Sequence, residues 1–335
     1  MRFKISLPGV ILVMTPVLAV LLCFFSILYG AKQITADIIW QSFIHFDPEN
    51  VDHQIIISSR LPRVIGAMLI GAFLAVSGAL MQGMTRNDLA SPSIMGVSDG
   101  SVFVVTLFMV FLPDAPSTLL ITFSLIGSAL GAGMVFGIAR LIPGGLTPVR
   151  LAILGTIIGT FLSGVSAAAA SYFQISQNVS FWYNARLDQM DPALIKLSIP
   201  FAIVGLALAI GISKSISVLS LGEDVAAGLG QRTWIVKLIS MLAVVILTGI
   251  SVALAGKIAF IGLIIPHISR FLVGVDYRRI IPVSAALGGL FLALCDIISR
   301  FVNAPFETPI GVVTALFGVP FFLYLIRTKG GGRHA

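Results

Sequence analysis

The chain has 335 residues, 57% of them hydrophobic and 10% charged, with a formal net charge of +7 and a mean hydropathy of +1.05. A soluble domain carries about 25% charged residues, so this composition excludes a water-coated globule and makes lipid the solvent for most of the surface. The basic residues sit in gaps between apolar stretches, where they set membrane orientation rather than bind nucleic acid, and the two cysteines, Cys23 and Cys295, are too few and too far apart for a disulfide framework or a metal cluster.

About 20 apolar residues cross a hydrocarbon core of about 30 Å. Runs such as 102–112 and 235–250 do not alternate with period two, so helices rather than barrel strands are predicted. The first predicted span, 8–29, follows Arg2 and Lys4 and imitates a secretory signal. It is longer than the usual core of such a signal, about 7–15 residues, and no small-x-small cleavage site follows, so a retained helix is expected. The second and third spans are predicted at 62–81 and 94–112, the fourth and fifth at 119–140 and 149–173, and the sixth at 194–212. The seventh covers 234–254, the eighth is a short one at 259–273, and the ninth and tenth cover 281–298 and 309–326.

The fold class expected is an all-α polytopic membrane protein of about ten transmembrane helices, with residues 1–335 forming one transmembrane domain. An even number of spans puts both termini on one face. Lys and Arg favour that face about two to one, which makes it cytoplasmic. Arg60, Arg63, Arg186, Lys257 and Arg300 fall on the opposite, outer side. Two outer gaps are long: 31–61, with HFDPENVDHQ at 45–54, and 173–193, with FWYNAR at 181–186, where Trp182 and Tyr183 suit an interfacial belt. Gly127 and Gly131, Gly133 and Gly137, and Gly155 and Gly159 stand four apart, with Gly66 and Gly71 adding to the pattern. Such faces let helix backbones approach closely, within the chain or at a subunit seam or pathway wall.

The cytoplasmic gap 213–233 contains SLGEDVAAGLGQR. Glu223 and Asp224 stand where acids favour a helix start, Gly230 stands where a left-handed residue ends one, and Val225, Ala226, Ala227 and Leu229 lie between. A short helix with such small side chains suits a cleft in another protein, the alternative being an ordinary loop helix. No phosphate-cradling G-x-x-x-x-G-K-[ST] loop occurs in the sequence, so driving energy comes from a partner or an ion gradient. Asp296 and Arg300 stand four apart and can pair on one helix face. Asp99 is read as capping a backbone break or lining the path, and His267, lacking a second ligand nearby, as a packing histidine. Glu307 is read as an acid at the start of the tenth helix, and Met81 and Gln82 as a candidate inner gate.

The strings SRLPR (59–63), AVSGALMQG (75–83), NDLASPSIMG (87–96), GEDVAAGLG (222–230), FIGLIIPHISR (260–270), CDIISR (295–300) and ETPIGVVTALFGVPFFLYLI (307–326) resemble, in order and spacing, permease subunits of the iron–siderophore and vitamin B12 branch of bacterial ABC importers. HFDP and ISQNVSFWY are most similar to Gram-positive ferric-siderophore permeases. The resemblance implies a type II importer permease fold in the bacterial cytoplasmic membrane and a second permease subunit beside this one, either a related chain or a copy. It also implies two ATP-binding subunits below, an extracellular siderophore-binding lipoprotein above, and no cofactor or metal site. It implies that Gly222, Glu223, Asp224, Ala227, Gly228 and Gly230 belong to a coupling helix gripped by the ATPase, and that Arg60, Arg63 and Arg300 meet acidic groups of the binding lipoprotein. Haem or corrinoid cargo, or an ion-gradient-driven secondary transporter, are the competing readings.

Overall fold

The computed structural model describes residues 7–30, 32–142, 147–183, 187–303 and 306–330. Arg2, Lys4, Arg186 and Arg333, which entered the charge count, lie outside the described residues, as does the side chain of Tyr183. Every regular element among the described residues is helical: α1 (Leu7–Leu28), α2 (Ala36–Ile44), α3 (Val51–Ile55), α4 (Leu61–Thr85), α5 (Val97–Phe111), α6 (Leu119–Leu141), α7 (Pro148–Tyr172), α8 (Ser176–Tyr183), α9 (Pro192–Leu219), α10 (Glu223–Gly228), α11 (Thr233–Ala255), α12 (Ile261–Val273), α13 (Tyr277–Val302) and α14 (Ile310–Gly330). A π-helical turn, Ile56–Arg60, joins α3 to α4.

Polar residues at the helix ends explain several of these boundaries. Asn50, Asp191 and Asp276 accept hydrogen bonds from backbone N–H groups two residues on, at 2.9, 2.8 and 3.0 Å, and so start α3, α9 and α13. Prolines stand in the first turns of α4, α7 and α9, where no intrahelical N–H is lost.

Among the described residues, seven helical stretches are long and apolar enough to cross a membrane, and α5, α12 and the Ile310–Leu325 part of α14 are shorter apolar stretches. α4 and α11 form the centre: 78% and 72% of their most apolar windows are buried, against 11% for α1 at the periphery. α4 packs against α13, α11, α12 and α9. These contacts are backbone-close because glycine meets glycine. A methyl group at Gly78 would collide with the Gly262 carbonyl, and one at Gly100 with the Gly127 carbonyl. The stripe at Gly133 and Gly137 is different, with no neighbour within 4 Å.

The eighth predicted span is the short one expected, and its helix begins at Ile261. α12 has 13 residues, about 20 Å of helix, which is too short to cross the hydrocarbon. The connection from α11 to α12, Gly256–Phe260, is buried or half-buried, and α12 packs against α4, α13 and α14. Gly262 in the first turn of α12 meets Leu74 and Gly78 of α4. Phe260 is held at φ +71° with its ring against Gly318 of α14. The segment before α5 also enters the bundle without helical structure, burying Ala90, Ser91 and Met95. Irregular backbone at membrane depth is tolerated where protein surrounds it.

Candidate functional site

Three sets of polar residues stand out from the apolar bundle: one at each end and one between. At the first end, α10 is an isolated turn and a half between α9 and α11. Gly222 precedes it at φ +139° and Gly230 follows at φ +78°, both in backbone territory that favours glycine. The Gly230 N–H donates to the Ala227 carbonyl and the Gln231 N–H to the Ala226 carbonyl, each at 2.9 Å, which closes the helix in a Schellman turn. The Gln231 side chain donates to the Ser215 carbonyl of α9 at 2.8 Å, and Glu223 pairs with Lys237 of α11 at 2.5 Å. Ala226 is buried. Asp224, Ala227 and Gly228 are exposed, as are Leu221, Val225 and Leu229, at 67%, 49% and 71%. The helix is therefore anchored on both sides and presents small and apolar side chains outward.

Beneath α10, Ser217 of α9 donates to the Asp276 carboxylate at 3.1 Å and accepts from the Tyr277 N–H at 2.8 Å. Partial burial raises the pKa of Asp276, but the Arg278 backbone N–H, the Ser217 hydroxyl and the Arg278 guanidinium outweigh it and hold the carboxyl below its ordinary value of 3.8. Gln82 lines a cavity at this end together with Arg86, Asp88, Ser220, Arg270 and Tyr277. Met81 is fully buried, and Gln82 is 2% exposed and cross-links α4 to α12. Its amide donates to the Leu263 carbonyl at 3.2 Å, and its oxygen accepts from Arg270 at 2.9 Å. Arg270 also pairs with Asp88.

The second set ties α5 to α7 and to the α11–α12 connection. Asp99, in the first turn of α5, pairs with Lys257 at 2.5 Å and accepts from Ser163 of α7 at 2.9 Å. Lys257, counted above as a charge of an outer gap, is half-buried in the connection between α11 and α12. The available signal was the shortness of the eighth apolar stretch. A cavity of about 310 Å³ adjoins this pair, lined by Val102, Ser163, Ser166, Ala170, Val179 and Ser180.

The third set is at the α2–α3 end. Arg63 is 7% exposed and donates to Asp296 of α13 at 2.8 Å and to Glu307 at 2.7 Å. Arg300 pairs with the other oxygen of Asp296, and donates to the Ser26 carbonyl at 2.8 Å and the Tyr29 carbonyl at 3.1 Å. Arg60, also 7% exposed, donates to the carbonyls of Ile27 and Lys32. The three arginines lie at the same end and are drawn inward onto their own chain. Asp296 is the carboxylate that makes this possible, serving two guanidinium groups from two helices. His267 lies apart, edge-on to Phe321 of α14 at 5.7 Å.

A bundle of this kind, with seven candidate spans among the described residues and an irregular segment buried within it, defines a multi-pass membrane protein. The chain belongs to the FecCD transport family, which it matches over residues 18–328. It is 60% identical over 322 residues to the iron-uptake system permease protein FeuB of Bacillus subtilis, covering 96% of each chain. It is 53% identical over 315 residues to the iron(3+)-hydroxamate import system permease protein FhuB of the same organism, covering 93% of this chain and 82% of that one. Among solved structures, an inward-facing metal-chelate type ABC transporter superimposes with a TM-score of 0.81 at 27% identity, over 95% of this chain and 99% of that one. The protein is an ABC importer permease of the iron–siderophore type in the cytoplasmic membrane, a translocation subunit rather than an enzyme.

Proposed function

We propose that this chain forms one of two membrane halves of an ATP-driven importer that carries a ferric siderophore inward, with a related permease as the second half. Two separate ATP-binding subunits grip α10 from the cytoplasm, and an extracellular lipoprotein delivers the cargo to the α2–α3 end. The observation that carries this reading is α10, a capped helix with exposed apolar side chains that its own fold does not use. The names of its relatives, an iron-uptake permease and an iron-hydroxamate permease, support iron complexes over corrinoids as cargo.

The test uses Gly228, where an added Cβ meets no atom within 4 Å. Gly228→Trp and Glu223→Arg are expected to abolish co-purification of the ATP-binding subunit and ATP-dependent siderophore uptake while leaving the permease folded. Uptake that survives ATP depletion but collapses with the proton gradient would instead favour a secondary transporter. In that mechanism Asp99 would have to release Lys257 to carry an ion.

Docking of the lipoprotein rests on charge. Arg60, Arg63 and Arg300 stand with Asp296 and Glu307 at the α2–α3 end, which also carries Lys32, Asp37, Asp47, Glu49 and Asp52, so charge there orients an approaching partner more than it adds affinity. Of the two acids paired with Arg63, Glu307 is the accessible one, with its side chain 38% exposed. Glu307→Gln should raise the association rate of the lipoprotein at low salt and leave it nearly unchanged at high salt. A rate indifferent to both the substitution and the salt would count against electrostatic docking here.

A further inference from the structure

Helix α2 divides its surface into three arcs. On the first, Ile39 is buried in a cluster with Ile27 of α1, Ile34 and Ile56, and Ser42 is buried beside it. On the second, Trp40, Phe43 and Ile44 are 68%, 52% and 53% exposed. On the third, Asp37 and Gln41 are exposed and joined by a hydrogen bond of 3.1 Å. At about 100° per residue, these arcs follow one another around the helix. Single exposed apolar residues are ordinary, but a contiguous face of tryptophan, phenylalanine and isoleucine marks a surface with a partner.

The height of α2 identifies that partner. The Ile39 cluster fixes the helix beside the last turn of α1, a peripheral span whose Phe24, Phe25 and Tyr29 are 40–47% exposed. The Tyr29 ring meets Phe301, at the end of α13, edge-on at 6.1 Å. The apolar face of α2 therefore lies level with an aromatic band where spanning helices leave the hydrocarbon. Aromatic side chains concentrate at that level, and amphipathic helices lie in its plane.

We propose that α2 is an interfacial membrane anchor. It lies along the bilayer surface with Trp40, Phe43 and Ile44 at the boundary between headgroups and acyl chains, Ile39 and Ser42 against the protein, and Asp37 and Gln41 in water. The phospholipid leaflet is the occupant of the apolar face, on whichever side of the membrane this end resides. The segment that follows α2 and enters α4 through the π turn is thereby held to the lipid surface.

The test makes Trp40 the sole tryptophan by Trp182→Phe and Trp234→Phe in the full chain, reconstituted in phosphatidylcholine vesicles. The lipids carry bromine either high on the acyl chain or near its end. The expected result is about a twofold or greater loss of Trp40 emission with the shallow bromine, a smaller loss with the deep one, and little response to aqueous iodide. Emission that ignores both lipids and falls with iodide overturns the proposal. Emission that responds to iodide until an extracellular binding protein is added also overturns it, making the face a protein-docking surface. If the double variant does not fold, the native chain is compared with Trp40→Phe. Quenching by the shallow bromine should fall by the Trp40 share, and unchanged quenching overturns the anchor.

Discussion

At the α2–α3 end, Arg60, Arg63 and Arg300 are drawn into the bundle onto Asp296, Glu307 and backbone carbonyls. At the α10 end, a six-residue helix stands clear of the bundle with Leu221, Val225 and Leu229 in solvent. One end uses charge to hold α1, α4 and α13 together. The other uses two glycines and one ion pair to hold a small helix out. Charges that cross-link spans are expensive to break, because a lone charge is left in a low-dielectric site. A helix displayed on the surface costs its own fold little to alter. Perturbation should therefore separate the two ends cleanly: stability lost at the first, function lost with stability intact at the second.

The largest expected effect is at Asp296. Asp296→Ala leaves the buried Arg63 and Arg300 without their shared carboxylate and should cost about 3–5 kcal/mol, read as a fall in the unfolding midpoint in mixed micelles. Arg63→Met and Arg300→Met added to that variant should recover part of the loss. If Asp296→Ala unfolds like the native chain, the α2–α3 end is not held together by charge and the comparison fails.

The internal pair is next. Asp99→Leu strands Lys257 and should cost less than the Asp296 change, about 2–3 kcal/mol, because the Lys257 side chain is 22% exposed and keeps some water. Asp99→Leu with Lys257→Met should be more stable than Asp99→Leu alone. A double variant weaker than the single one would show that Lys257 does not depend on Asp99.

Packing sharpens the contrast at smaller cost. Gly78→Ala presses a methyl group onto the Gly262 carbonyl and should cost about 1–3 kcal/mol. Gly133→Ala meets open space and should stabilise α6 by about 0.5–1 kcal/mol. Thermal unfolding of the two variants should thus shift in opposite directions. At the bottom of the scale, Gly228→Trp should move stability by no more than about 0.5 kcal/mol while uptake is lost.

Hydropathy and the absence of alternation already make the chain helical and membrane-embedded, because lipid accepts no other fold from such a sequence. Local sequence marked the boundaries of α10, because acids at the start and glycine in the left-handed turn are local chemistry that needs no neighbour. It also brought Asp296 and Arg300 to one helix face, because four residues apart is a helical contact. Only the tertiary structure decided the rest. Arg63 is 233 positions from Asp296, and no local rule predicts that pairing. Lys257 reads as a loop charge until the fold sets it against Asp99. Gln82 stands near the end of α4 in sequence, and only the packing of α12 gives it Leu263 and Arg270 as partners. Gly131 and Gly133 are alike in sequence, yet one is pressed against α5 and the other faces open space. Periodicity and caps are written within a few residues of chain. Which helix a face meets depends on how all the helices fill the bundle together.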